Sequence, residues 1–113
     1  MTRPLPIAAC LALVLSSFAS PVLGQDAVAA GDAEKGRMLT YTCQGCHGIE
    51  GWRNAYPHYH VPRIGGQSPQ YLANALSEYK KGTRKHPTMQ AQAQSFSDQD
   101  IADIAAFLSG VTP

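Results

Sequence analysis

The sequence predicts an all-α fold on three observations. Apolar residues recur at helical spacing in two stretches, at Tyr71, Leu72, Ala75, Leu76 and Tyr79 and again at Ile101, Ile104, Ala105 and Leu108. Each of these stretches follows a serine suited to cap a helix, Ser68 or Ser97. No segment shows strand alternation, an internal repeat or low complexity. With 113 residues, the chain has room for one small domain.

Residues 1–24 read as a secretory signal. Arg3 gives the positive start, an apolar run extends to Phe18, and Val22-Leu23-Gly24 offers a small-residue cleavage site, with a cut after Ala19 as the alternative. The apolar run falls short of the roughly 20 residues of a membrane span. Cys10 lies within that run and not after it, which argues against lipidation, so it is expected to leave with the signal. Residues 25–113 then form the mature domain, with Cys43 and Cys46 as its thiols and eight basic residues against eight acidic ones. That balance argues against a nucleic-acid partner. A chain of this size is marginal on its own burial and gains from a group to fold around.

Residues 25–31 are alanine-rich and expected to fray. Asp32 caps a helix expected to run to Tyr41, with Met38 and Leu39 among its apolar positions. Gly36 inside it marks either close packing or a coil residue. Residues 48–66 carry Gly48, Gly51, Pro57, Pro62, Gly65 and Gly66 and read as a long loop. Trp52, Tyr56 and Tyr59 in that loop suit packing against a flat cofactor or closure of the core. Ser68 and Pro69 open the next helix, which Lys80, Lys81 and Gly82 stop. Residues 83–96 are expected to be a turn and an irregular stretch containing Pro87 and Met89. The last helix follows Ser97, with Asp98 and Asp100 in its first turn and Gly110 at its end.

Between the first two helices stands Cys43-Gln44-Gly45-Cys46-His47, the spacing that attaches a c-type haem. Two residues between the thiols let both sulfurs reach the vinyl-bearing edges of one porphyrin. The following histidine then lies beneath the iron, as a proximal ligand. A thioredoxin-like Cys-x-x-Cys couple would want a preceding strand, and a structural zinc site would want two more ligands at matching spacing. His58 and His60 alternate in the loop without a carboxylate or thiol beside them, so they are not expected to form a second metal site.

Three helices, an early haem motif, a glycine- and proline-rich loop and a methionine before the last helix together resemble a class I c-type cytochrome. The resemblance extends through Pro62-Arg63-Ile64-Gly65-Gly66-Gln67, Tyr71-Leu72, Gly82-Thr83-Arg84-Lys85-His86-Pro87-Thr88-Met89 and Ser97-Asp98-Gln99-Asp100-Ile101. It covers nearly all of the mature chain and is nearest to the small soluble periplasmic members. Where many of these carry an aromatic residue four positions before the first cysteine, this chain has Leu39.

The resemblance implies a small class I fold, three main helices and loops wrapped around one covalent haem c. It implies that Cys43 and Cys46 bind the haem and that His47 and Met89 ligate its iron. His86 is the rival to Met89, whereas Met38, on the helix leading into Cys43, is better read as core. The Pro62 carbonyl would accept the second ring N–H of His47. Arg63 and Arg84 become candidates for the propionates, and Gln67 and Thr88 for the lining. The implied function is one-electron transfer in the periplasm, without enzymatic activity. The partners would be periplasmic redox proteins: a reductase or dehydrogenase as donor, an oxidase or reductase as acceptor. Membrane contact would come only through such a partner or an uncleaved signal. The alternatives are a haem-bearing subunit of a periplasmic dehydrogenase and a haem sensor or catalyst with an open sixth position.

Overall fold

Local side-chain chemistry starts four of the helices in the computed structural model, which describes residues 30–49 and 60–112. Asp32 accepts from the Glu34 and Lys35 N–H groups and opens α1 (Ala33–Leu39). Its last turn tightens into a 3₁₀ segment, Thr40–Thr42, that ends at Cys43. The short α2 (Gln44–His47) comes directly after it. Ser68 caps α3 (Pro69–Lys81) by accepting from the Tyr71 N–H, and Gly82 closes it in the left-handed conformation at φ 74°. His86 caps α4 (Pro87–Gln94), and Ser97 opens α5 (Asp98–Ser109) through a reciprocal capping box with Asp100. No strand occurs among the described residues.

The helical spacing predicts α5 well. Ile101, Ile104, Ala105 and Leu108 are all buried, and with Leu72, Ala73 and Ile49 they form the core. Helix α5 packs against both α1 and α3, while α4 packs on α3. α1 has no helical partner besides α5 and its own 3₁₀ extension among the principal contacts.

The α1–α5 crossing is possible because both contact points on the N-terminal segment lack a side chain. A Cβ on Gly36 would run into the carbonyl of Asp103, and one on Gly31 into the carbonyl of Ala102. Close packing, one of the two readings open for Gly36, is therefore its role. Beside this contact, Asp103 is 1% exposed and fully partnered. It accepts from the Asp32 N–H at 2.8 Å and from Gln99 Nε2 at 2.8 Å, and it pairs with Lys35 Nζ at 3.0 Å. Lys35 also reaches Asp100 at 3.1 Å. A buried carboxylate with three donors fixes the register of the two helices where apolar contact alone would permit sliding.

Three expectations are corrected. Residues 83–96 are not irregular, since α4 occupies most of them. Pro87 stands at the first helical position, where its missing N–H costs nothing. Met38 is not core but 67% exposed, because α1 turns Gly36 toward α5 and a residue two positions on points away from that contact. The first helix ends at Leu39, before its 3₁₀ extension, and not at Tyr41, which is 79% exposed. The signal (1–24), Cys10, Trp52, Tyr56, Tyr59 and His58 lie outside the described residues. No described helix is long and apolar enough to cross a membrane.

The crossing has two measurable outcomes. Gly36→Ala should lower the stability of the haem-loaded protein by about 3 kcal/mol or more, and a denaturant midpoint equal to wild type would refute the close contact. Hydrogen bonds from the Ser97 side chain and backbone, then from Lys35, hold Asp100 at about 2 against an ordinary 3.8. The Asp32 N–H, Gln99 and Lys35 likewise lower Asp103. A carboxylate depressed in this way stabilises the fold above its unfolded value, and that contribution fades as pH falls through the folded one. Thermal stability should therefore drop between pH of about 4 and about 2. Asp100→Asn, already without that carboxylate, should show a shallower drop in melting curves taken across the same range.

Candidate haem site

Against the α3–α5 core lies a cavity of about 770 Å³, within the usual range of roughly 300–1,000 Å³ for cofactor pockets. Ile104 and Leu108 of α5 and Leu72 and Leu76 of α3 form part of its walls, so the protein core and the cavity share one apolar surface. All six residues expected at the site, Cys43, Cys46, His47, Pro62, Arg63 and Met89, line it. Separate elements deliver them. The 3₁₀ segment and α2 bring the thiols and His47, the segment before α3 brings Pro62 and Arg63, and α4 brings Met89.

His47 is 6% exposed, and its Nδ1–H donates to the Pro62 carbonyl at 2.8 Å. A carbonyl only accepts, so the proton sits on Nδ1 and the Nε2 lone pair is left as the ring's donor toward a metal. This bond spans a separation of 15 residues and fixes the ring plane by a backbone atom that side-chain variation cannot remove. The neighbouring thiols differ. Cys46 is exposed, whereas Cys43 packs against the core. Burial pushes the Cys43 thiol above its ordinary 9.0, with Thr42 pulling weakly the other way. No strand precedes the pair among the described residues, which counts against the thioredoxin-like reading.

Other polar groups also line the cavity. The Arg84 guanidinium lies over the rings of Tyr79 and Tyr71, 5.1 and 6.0 Å from their centroids. It also donates to the Tyr71 hydroxyl at 3.4 Å, the bond that contributes most to raising its pKa. Arg63 is exposed at the cavity edge, where its carbonyl accepts from Gln67 Nε2 at 3.3 Å. Thr88, Gln67, His86 and His60 also face the cavity, His60 as an exposed residue. No aspartate or glutamate lines it among the described residues. An apolar slot with two thiols, a tautomer-fixed imidazole, a thioether and two arginines suits a large apolar macrocycle with anionic edge groups. The residues present therefore fit a haem.

Helical spacing places Tyr71 on a buried face, yet it is 48% exposed and turned to the cavity. Periodicity identifies the face but not what covers it. Phe96 escaped the sequence reading although it also lines the cavity. Its signal was available, because an apolar residue directly before a serine cap is a staple position.

Comparison with known proteins agrees with this geometry. The family model described as Cytochrome c matches residues 33–112. The chain is 43% identical to cytochrome c-554(548) of Halomonas halodenitrificans over 83 residues, covering 71% of this chain and 96% of that protein. It is 36% identical to cytochrome c4 of Azotobacter vinelandii over 75% of its own length but only 43% of the relative's. It is 31% identical to the cytochrome subunit of sulfide dehydrogenase from Chlorobaculum tepidum, covering 69% of this chain and 67% of that subunit. A family match over most of the folded residues meets a cavity that presents the thiols and imidazole of the attachment motif. The chain thus belongs to the cytochrome c family, as an electron-transfer protein with a covalently bound haem c.

Proposed function

We propose that this chain is an exported, periplasmic one-electron carrier in which Cys43 and Cys46 hold the haem by thioethers and His47 and Met89 fill its axial positions. The observation that carries the reading is the 2.8 Å bond from His47 to Pro62, which commits one ring nitrogen to the backbone and leaves the other for iron. The haem supplies reversible uptake of a single electron at its iron. The protein's own residues set the conditions for it. Pro62 holds the imidazole in one orientation and raises its basicity. Leu72, Leu76, Ile104 and Leu108 keep water away from the interior of the cavity. Arg63 and Arg84 offer fixed positive charge to the propionates. Held by both His47 and Met89, the iron would have no site left for oxygen or peroxide, which favours transfer over catalysis or gas sensing.

Residues 1–24 would direct export and be removed before Gln25, leaving 25–113 as the carrier domain. The relative named as a subunit of sulfide dehydrogenase supports a dehydrogenase as electron donor, either in passing encounters or as a docked subunit. Encounters of a carrier are small and brief, so gel filtration of native periplasm should return the chain at its own mass; elution with a dehydrogenase would favour the subunit reading.

Attachment is checked by denaturing electrophoresis in reductant. Haem stain should travel with the mature band, and haem extracted into acidified organic solvent would overturn the thioethers. For the sixth ligand, Met89→Ala should abolish the weak near-infrared band of sulfur-bound ferric haem, lower the potential and admit carbon monoxide to the reduced protein. Loss of the thioether is felt in the potential because axial ligands help tune it over a span of about 0.8 V. The same changes in His86→Ala, with Met89→Ala unaffected, would transfer the assignment to imidazole.

A further inference from the structure

Helix α4 carries Met89 at its third position, and the residue that caps it is a histidine in place of the hydroxyl, carboxylate or amide side chains that usually do so. His86 Nδ1 accepts from the Met89 backbone N–H at 3.3 Å, and the His86 carbonyl accepts the Gln90 N–H at 2.9 Å. An N–H only donates, so Nδ1 carries no proton and the neutral ring bears it on Nε2. One nitrogen is therefore committed to the helix, and the other holds a hydrogen. An imidazole in that state presents no lone pair to a metal, although His86 lines the same cavity as Met89.

The ring and the loop that carries it are both held. Tyr79 meets the imidazole edge-on, with centroids 6.4 Å apart and planes at 80°. Upstream, the Thr83 and Arg84 N–H groups both reach the Glu78 carbonyl, at 3.0 and 3.2 Å, and Lys85 Nζ donates to the Gly82 carbonyl at 2.7 Å. The turn leaving α3 thus delivers His86 to one place. From there the capping bond fixes the backbone of Met89.

We propose that His86 is a positioning residue for Met89: its imidazole caps α4 on the Met89 N–H, which sets the thioether at the cavity and withdraws His86 itself from competition for the iron. The inference rests on the reading of Met89 as sixth ligand. It assigns a reason for having two metal-binding side chains three residues apart and using only one. Without the cap, the first turn of α4 frays, and the thioether spends a larger share of its time away from the metal.

The test uses the haem-loaded protein with His86→Ala and His86→Asn. It reads the near-infrared sulfur band and the affinity of the ferric protein for added imidazole, which enters when the thioether leaves. His86→Ala should bind imidazole on the order of fivefold more tightly, the effect of losing one helix cap. His86→Asn, whose side-chain oxygen is a good cap, should return to within about twofold of wild type. Should His86→Ala fail to accumulate, His86→Gln, similar in polarity but without capping reach, takes its place with the same expected order. An imidazole affinity indifferent to residue 86, or an asparagine variant that shifts as far as alanine, would overturn the proposal. Absence of the sulfur band from the wild-type protein would instead overturn the Met89 reading and, with it, the basis of this one.

Discussion

The approach of α1 to α5 excludes any side chain at position 36, since a Cβ there would enter the carbonyl of Asp103. Much of the remaining architecture depends on that exclusion. Two helices in backbone contact leave no space for water between them, so the polar groups at the seam must be satisfied within the protein. Asp103 answers this with three donors from three residues, Asp32, Lys35 and Gln99. The crossing in turn determines where the chain goes next. Leu39 and Cys43 lie against the core as the helix tightens into its 3₁₀ end, and His47 arrives with its ring toward Pro62. The thiols are thus located by a contact made seven to ten residues before them.

On the far side of α5 the arrangement is different. Here the helix packs through its side chains and shares its apolar face between α3 and the cavity. Ile104 and Leu108 belong to both the protein core and the cavity wall. A cofactor in that cavity completes the hydrophobic interior of a domain that is marginal by size, which ties stability to cofactor attachment. Electron transfer and folding then draw on the same buried surface.

Much of this was legible in the sequence, because caps and stops are local and residue-specific. Asp32, Ser68, Ser97 and Gly82 each leave a trace in residue type, and all four act as read. The bond from His47 to Pro62 was expected from the resemblance and is present at 2.8 Å. What escaped had physical causes. Helix α4 was hidden because histidine is an unusual cap and proline reads as a breaker unless its place at the first turn is recognised. Met38 was misread because a helix of two turns has no periodicity long enough to orient it, so only the contact at Gly36 reveals which face is inward. Asp103 went unnoticed as a charged residue in a largely apolar helix; two of its three partners, Asp32 and Lys35, are more than 60 positions away.

That separation also couples two distant parts of the chain. The seam joins the first and last helices, and its hydrogen bonds span up to 71 residues. Closing so long a loop is entropically costly, so the seam must offset that cost with the contacts it brings together. A seven-residue helix does not persist alone in water, and α1 has no helical partner besides α5 and its own extension among the principal contacts. The helix leading to Cys43 therefore depends for its stability on the docked twelve-residue α5. The placement of the two thiols is thus coupled to a helix that begins more than 50 positions after them, and a change at the seam is felt at both.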